Sequence, residues 1–507
     1  MKKNLFWMLS ILVLTACSAS FDNPVPDSGN GQQSEQQGEQ VQVADDFESR
    51  ADFLATAYKK TKPMIPSVWN ASVNPEDFVL LFVSEDQQKI YLIDDNGKQL
   101  LPKTEWPERY VKDPSELSRG TFLIASLKGR NCCMILDART QGEQRQKTIG
   151  ESFDPSEYVL DLLSLFYHES FHAYVQDGEN RWILPPRVDQ TLGAQVFPII
   201  HEPRIYRKLM VLSLLEALND ESRKAESYSR AKYWLNKFNT EFPSEVASAK
   251  ETDINEGTAE YFGRTIVKSI YSNYSLIQPY DGIALAAPMS TEAYMLSIAI
   301  NLAVREGRKD EVISSFEKGQ QSPIEILLKD VPVPASYDEN ADKADRDRII
   351  AAIDQIYGPQ SMYFKPLYDL LDTHRKGSNT YLVTRKRSSS MGQSMGTYQL
   401  TDADVLGYSC EVALTELLVN IELGGCTILT HISSGLNLIP VDVSQLQFTN
   451  VEQVSPQPHS IIKDVTITGK ATLSACTSET VMVNKLPIEV VKGTDKFGNT
   501  LYFLQNE

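Results

Sequence analysis

The stretch Tyr167-His168-Glu169-Ser170-Phe171-His172-Ala173-Tyr174 carries two of the six histidines of the chain, four positions apart. It is preceded by Asp154-Pro155-Ser156-Glu157, where a capping residue is followed by proline at the first helical position. A nearly continuous apolar run connects the two segments, so the pattern predicts a buried helix that ends at Asp177-Gly178. Residues i and i+4 lie on one face of a helix, and both imidazoles should therefore point the same way.

Two imidazoles with this spacing can bind one metal ion. We therefore predict that His168 and His172 are metal ligands, and that Glu169 between them can reach a water molecule at the metal. A catalytic zinc site also needs a third protein ligand and one open position.

The candidates for the third ligand lie on the segment 251–261, in a helix predicted to begin near Asp253 and to run to about Tyr271. Glu256 and Glu260 share one face of this helix at positions i and i+4. One carboxylate could bind the metal, while the other could accept a hydrogen bond from the outer nitrogen of a ligand imidazole. Asp253 is expected to be an N-terminal residue of the helix and not a ligand.

Glu202, beside His201, is an alternative third ligand that would give a shorter spacing from His172. However, His201-Glu202-Pro203 is typical of a helix start, where the helix dipole alone favours a glutamate. The sequence favours Glu256 and leaves Glu202 open.

His168-Glu169-Ser170-Phe171-His172, followed by Asn255-Glu256-Gly257-Thr258-Ala259-Glu260-Tyr261, resembles the paired motifs of the gluzincin group of zinc metallopeptidases. The resemblance implies a zincin-like fold in which His168, His172 and Glu256 bind Zn2+. It also implies that Glu169 is the general base and acid, and that Glu260 supports a ligand imidazole.

The spacing departs from the gluzincin pattern, because Glu256 lies 84 positions after His172. The helices predicted between about 203 and 240 would then be an insertion, or the family a divergent one. Peptide hydrolysis also needs a donor for the oxyanion, and the candidates are Tyr206, Tyr261 and Tyr294. The chain has 22 tyrosines, so each of the three is more often expected to be a packed aromatic side chain.

The N-terminus combines the charged residues Lys2 and Lys3 with a short apolar run over residues 5–14, which is too short to span a membrane. Leu14-Thr15-Ala16-Cys17 resembles the lipobox of bacterial lipoproteins. The resemblance implies that residues 1–17 form a signal peptide with Cys17 as the site of lipid attachment. The protein would then be anchored in the cell envelope, and Ser18 favours the outer membrane over the plasma membrane.

Four further regions follow the signal peptide. Residues 18–45 are rich in Gln, Glu, Pro and Gly and predict a disordered linker. Residues 46–150 contain paired strand patterns that predict a small, mostly antiparallel sheet, and residues 151–375 predict a helical, zincin-like catalytic domain. Residues 376–507 predict an all-β domain, so the expected fold class is α+β. A disulfide among the last three cysteines is expected there, at Cys410, Cys426 and Cys476.

The net charge of −18 argues against a nucleic-acid partner, which would require a basic surface. Two functions remain. The favoured one is a lipid-anchored zinc metallopeptidase that acts on a peptide or protein substrate. The alternative is a non-catalytic binding or assembly lipoprotein of the envelope that retains the zincin-like scaffold.

Overall fold

The computed structural model describes the residues 43–140, 142–143, 153–177, 182–185, 196–197, 200–278, 280, 285, 289–319 and 321–361, and beyond 361 only strands between 380 and 506. The predicted signal peptide with Cys17, and residues 18–42 of the predicted linker, lie outside the described residues. The chain divides into two compact units. One comprises Met1–Asp189 with Pro203–Asp345, and the other comprises Gln190–Glu202 with Arg346–Glu507.

A five-stranded sheet forms the first part of the first unit, with the strand order β3-β2-β1-β5-β4. Its strands are β1 (Leu80–Val83), β2 (Ile90–Asp94), β3 (Gly97–Leu100), β4 (Phe122–Leu127) and β5 (Arg130–Leu136). Two hairpins are present, one closing at Asp94 and Gly97 and the other at Leu127 and Arg130. β1 and β5 pair in parallel, whereas the other neighbours are antiparallel.

Side chains alternate along each strand, so neighbouring residues point to opposite faces of the sheet. Different elements cover these two faces. Leu81 and Met134 belong to a small apolar core that also contains Cys132. Cys133 faces the opposite way and lies beside Ser170. The two adjacent cysteines are both buried and free, as expected for neighbours on one strand.

The helices of the first unit come before, between and after the strands of the sheet. They are α1 (Phe47–Thr61), α2 (Ile65–Val68), α3 (Glu108–Lys112), α4 (Ser115–Gly120), α5 (Pro155–Phe171), α6 (His201–Asn219), α7 (Lys224–Glu241), α8 (Pro243–Ile270), α9 (Met289–Met295), α10 (Ser297–Arg305), α11 (Lys309–Glu317), α12 (Pro323–Leu327) and α13 (Lys343–Tyr357). Elements α6 and α13 cross the boundary between the two units.

The helix α5 is the predicted buried helix, and it contacts both β5 and α8. Asp154 caps it by accepting a hydrogen bond from the Ser156 N–H at 2.8 Å. After Phe171 the helix widens into a π-turn over His172–Gln176, closed by a bond of 2.9 Å from Asp177 N to His172 O. The widened turn changes the direction of the side chains that follow His172.

The helix α8 is longer than the sequence predicted, because it begins at Pro243 and not near Asp253. Its first ten residues are mostly polar and lack the apolar periodicity by which a helix is recognised. Consequently Asp253 is not an N-terminal residue but lies in the interior of the helix. The sequence from Thr291 to Glu306 predicts a single helix, whereas the structure has α9 and α10 with a break at Leu296.

Two glycines allow α8 to approach its neighbours closely. A Cβ atom at Gly263 would lie 2.6 Å from the backbone oxygen of Ser164 on α5, and one at Gly257 would lie 3.0 Å from Ala293 O on α9. Glycine inside a helix costs ~1 kcal/mol relative to alanine. Gly263 is nevertheless required, because the backbones of α5 and α8 are too close to leave room for a side chain.

Buried ion pairs hold α8 and α9 against α6. Arg207 donates two hydrogen bonds to Asp253, at 3.0 and 2.7 Å, and Lys208 pairs with Glu292. Lys208 and Glu292 are almost completely buried, at 0% and 1% exposure. The helix α6, predicted to lie in an insertion, therefore supplies one cation that binds α8, the helix of Glu256, and one that binds α9.

The second unit contains two sheets, with the orders β11-β10-β9-β8-β6 and β12-β7-β16-β15-β14-β13. Their strands are β6 (Val196–Phe197), β7 (Thr380–Thr384), β8 (Ser394–Leu400), β9 (Tyr408–Ala413), β10 (Glu416–Leu423), β11 (Cys426–Ser433), β12 (Ile439–Pro440), β13 (Leu446–Gln453), β14 (His459–Ile467), β15 (Ile488–Thr494) and β16 (Thr500–Asn506). The predicted all-β domain over 376–507 stays a prediction, as does the disulfide, because Cys476 lies outside the described residues.

The described residues confirm an α+β fold that is mainly helical and contains a small five-stranded sheet. None of the helices in the described part of the chain combines the length and the apolar character that a membrane span needs.

Gly263→Ala tests the close approach of α5 and α8. Alanine is the better helix former by ~1 kcal/mol, but its methyl group would meet a backbone oxygen that cannot move aside. We expect a net loss of roughly 1–3 kcal/mol in the free energy of unfolding, measured by urea denaturation. Ser269→Ala, at an exposed position of the same helix, is the matched control and should change little. Unchanged stability of Gly263→Ala would contradict the observed packing.

Candidate metal centre

Three buried ligand atoms converge where α5 meets α8. His168 Nε2 lies 3.0 Å from His172 Nε2, and Glu256 Oε2 lies 3.3 Å from the first nitrogen and 3.5 Å from the second. All three residues are less than a tenth exposed. They form the only group of this kind among the described residues that could hold a metal ion.

The separations of these atoms fit a tetrahedral metal site. Zinc–nitrogen and zinc–oxygen bonds of ~2.0–2.1 Å place tetrahedral ligand atoms ~3.3–3.4 Å apart. The observed edges of 3.0, 3.3 and 3.5 Å lie around that value. Two imidazoles and one carboxylate are also a common ligand set for catalytic zinc.

The outer nitrogens of both imidazoles face oxygen atoms. His168 Nδ1 lies 3.2 Å from Glu260 Oε2, and His172 Nδ1 contacts Gln176 Oε1. With a proton on each Nδ1, each neutral ring presents the lone pair of Nε2 to the other ligand atoms. The three converging atoms are then all acceptors, and such an arrangement requires a cation or a proton between them.

Glu256 provides an independent test of the fit to a metal. Its Oε2 atom is buried and has no hydrogen-bond partner among the described residues. A buried carboxylate oxygen without a donor destabilises the folded state, because it has lost its hydrogen bonds to water and gained none in the protein. A metal ion bound by His168, His172 and Glu256 would satisfy this oxygen.

Glu260 is held on both of its oxygens. Oε1 accepts hydrogen bonds from Arg264 Nε at 2.5 Å and from Gln278 Nε2 at 3.2 Å, while Oε2 lies beside His168. The sequence predicts that Glu260 supports a ligand imidazole, and its Oε2 atom lies 3.2 Å from His168 Nδ1. Arg264 in turn donates to the backbone oxygen of Ser275 at 3.2 Å, so the turn after α8 is tied to the same carboxylate.

The buried charges leave the cluster with a deficit of positive charge. Glu169, Glu256 and Glu260 contribute three carboxylates, and the guanidinium of Arg264 pairs with Glu260. With both imidazoles neutral, Glu256, Glu260 and Arg264 leave one negative charge, and ionisation of Glu169 makes it two. A divalent cation would neutralise them, and buried charges are stable only when they are compensated.

The pKa values of the cluster reflect the same imbalance. Burial lowers the pKa of His168, but the Glu256 and Glu260 carboxylates outweigh it and bring the pKa well above its usual range. Burial raises the pKa of Glu256, yet the neighbouring His172 and His168 rings bring it below its usual range. Burial raises the pKa of Glu169 to about 8, with further contributions from Glu256 and Glu260.

Several residues considered from the sequence do not join the cluster. Glu202 is exposed in the first turn of α6, and Asp253 pairs with Arg207. Among the tyrosines, Tyr206 donates a hydrogen bond to Glu241 at 2.8 Å, and Tyr261 packs near Trp69.

Tyr294 is the one of the three tyrosines that reaches the cluster. Its ring stacks on His168 at a centroid distance of 5.6 Å and an interplanar angle of 14°.

The sequence reasoning missed Gln176 and Arg264, although a signal for both was present. The i, i+4 series 168 and 172 continues to Gln176, and the series 256 and 260 continues to Arg264. Gln278 and the pair of Arg207 with Asp253 had no local signal, since their partners come from distant parts of the chain.

No family of known proteins, no curated protein and no solved structure matches this chain. What the site does is therefore inferred from its residues and their geometry.

Metal binding at this cluster should depend on pH. The raised pKa of His168 means that the metal-free site holds a proton near neutral pH, and metal must displace it. We expect the affinity for Zn2+ to rise by about tenfold per pH unit between pH 6 and 8 for one displaced proton. Calorimetry in buffers of different ionisation enthalpy would measure both the affinity and the released proton.

His201→Gln is a suitable control for the pH dependence. His201 pairs with Asp354 at 2.9 Å, so its removal should leave the pH slope unchanged. An affinity that stays constant from pH 6 to pH 8 would contradict the proton displacement.

Proposed function

We propose that this protein is a zinc-dependent metallopeptidase that hydrolyses peptide bonds in the bacterial cell envelope. The observation that carries the proposal is the convergence of His168 Nε2, His172 Nε2 and Glu256 Oε2 within 3.0 to 3.5 Å of one another. Glu169 adds the acid–base group, at the position that its resemblance to the gluzincin motif assigns to it.

Zn2+ is the metal that the donor set favours. Imidazole nitrogen and one carboxylate suit zinc, whereas Ca2+ and Mg2+ prefer oxygen ligands alone. When bound, zinc would polarise the scissile carbonyl and lower the pKa of water.

Glu169 is proposed to move the proton during hydrolysis. Its carboxyl is buried, with 6% exposure of the residue, and its pKa is raised to about 8. A carboxyl with a pKa near neutral can take a proton from the attacking water and pass it to the leaving amine. Tyr294, stacked on His168, is the best placed of the three tyrosines to donate to the oxyanion.

The cellular setting of the proposal comes from the sequence. The lipobox-like segment ending at Cys17 would anchor the chain by a lipid, with residues 18–45 as a spacer. We favour the outer membrane over the plasma membrane. Residues 151–375 would form a zincin-like catalytic domain and residues 376–507 an all-β domain, with a peptide or protein as the substrate.

Glu169→Gln separates metal binding from catalysis. The variant should keep one zinc per chain, because His168, His172 and Glu256 are unchanged. It should lose activity by about 10²–10⁴-fold or more, the usual contribution of a general acid–base group. Elemental analysis would give the metal content, and digestion of a peptide library followed by mass spectrometry would give the activity.

Glu157→Gln, in the first turn of α5, is the matched control and should retain both metal and activity. Wild-type protein without stoichiometric metal would exclude the proposal. Cleavage that is identical in wild type and Glu169→Gln, or absent from both, would favour the non-catalytic envelope lipoprotein instead.

A further inference from the structure

Gln176 connects the two helices that carry the ligands. It is the last residue of the π-turn after α5, and only 2% of it is exposed. Its side-chain oxygen contacts His172 Nδ1, while its Nε2 atom donates to Asn255 O at 2.8 Å and to Thr258 Oγ1 at 2.7 Å. The amide therefore contacts one ligand on α5 and the backbone of α8 next to another.

The partners on α8 determine which way the amide points. Asn255 O is a carbonyl oxygen and can only accept a hydrogen bond. The Thr258 hydroxyl donates its own hydrogen to Ile254 O at 2.7 Å, which leaves its oxygen free to accept. If the amide were reversed, its oxygen would face two acceptors, so the –NH2 group must point to α8.

The direction of the amide then sets the tautomer of His172. Since Gln176 Oε1 faces His172 Nδ1, that nitrogen must carry the proton. The lone pair of the neutral ring is consequently on Nε2, the atom that lies 3.0 Å from His168 Nε2. A ring with the opposite tautomer could not bind a metal through Nε2.

We propose that Gln176 is a positioning residue that holds His172 in the metal-binding tautomer, with its own orientation imposed by the backbone of α8. The inference rests on the metal site proposed above. The site thus becomes competent only when α5 and α8 are docked, because Asn255 and Thr258 supply the acceptors that orient the amide.

Three variants separate the acceptor role of Gln176 from its role as a link between helices. Gln176→Met keeps the volume and removes both roles. Gln176→Glu keeps an oxygen that accepts from His172 but lacks the –NH2 group. Thr258→Val removes one acceptor on α8 and leaves His172 and Asn255 untouched.

The affinity for Co2+, followed by its visible absorption, is the first measurement. We expect Gln176→Met to lose 10–100-fold, as is usual for partners that orient a ligand. Thr258→Val should stay close to wild type, because Asn255 O still accepts from the amide and keeps its direction. Gln176→Glu should lose less than Gln176→Met, because it still accepts from His172 Nδ1 although its second oxygen faces Asn255 O. An equal loss in Gln176→Glu and Gln176→Met would overturn the proposal in favour of a simple link between helices, and so would an unchanged Gln176→Met.

The second measurement needs no metal. In metal-free protein labelled with 15N-histidine, the imidazole shifts of neutral His172 should show the proton on Nδ1, and Gln176→Met should show a mixture of tautomers. The His172→Gln variant assigns the signals. If wild type binds no Co2+ or Zn2+, the proposed function fails, yet these shifts still decide whether Gln176 sets the tautomer. The same tautomer in wild type and Gln176→Met would overturn the inference.

Discussion

The close approach of α5 and α8 is the constraint on which the site depends. The ligands of the cluster come from both helices, so its geometry exists only if the two backbones are nearly in contact. Gly263 permits this contact, because any Cβ there would meet Ser164 O at 2.6 Å. Glu256 and Glu260, on the same helix, are thereby brought to the two histidines of α5.

The 83 residues between His172 and Glu256 have a structural role in this arrangement. They contain α6, whose Arg207 pairs with Asp253 on α8 and whose Lys208 pairs with Glu292 on α9. Removing one partner from such a buried pair costs ~3–5 kcal/mol, since the other charge is left without compensation. The spacing that departs from the gluzincin pattern is therefore used to support the ligand helix.

Groups on α8 determine the orientation of both imidazoles. The imidazoles themselves belong to α5 and to the π-turn that follows it. Glu260 lies beside the outer nitrogen of His168, and Gln176, held by the α8 backbone, contacts that of His172. Arg264 donates a hydrogen bond to Glu260, and its positive charge reduces the net negative charge of the cluster. Docking of the two helices thus determines the distances between the ligand atoms, the orientation of the imidazole rings and the net charge of the cluster. A buried polar network favours a single geometry when all of its members are satisfied.

The sequence by itself determined the elements that depend on local order. The i, i+4 spacing gave the histidine pair, the Glu256 and Glu260 face and, had each series been extended, Gln176 and Arg264. The start of α8, the break at Leu296 and the partners of Asp253 were decided by tertiary structure. Those features arise from contacts between helices that are far apart in the chain. The periodicity of one segment carries no information about which distant charge or backbone group will contact that segment.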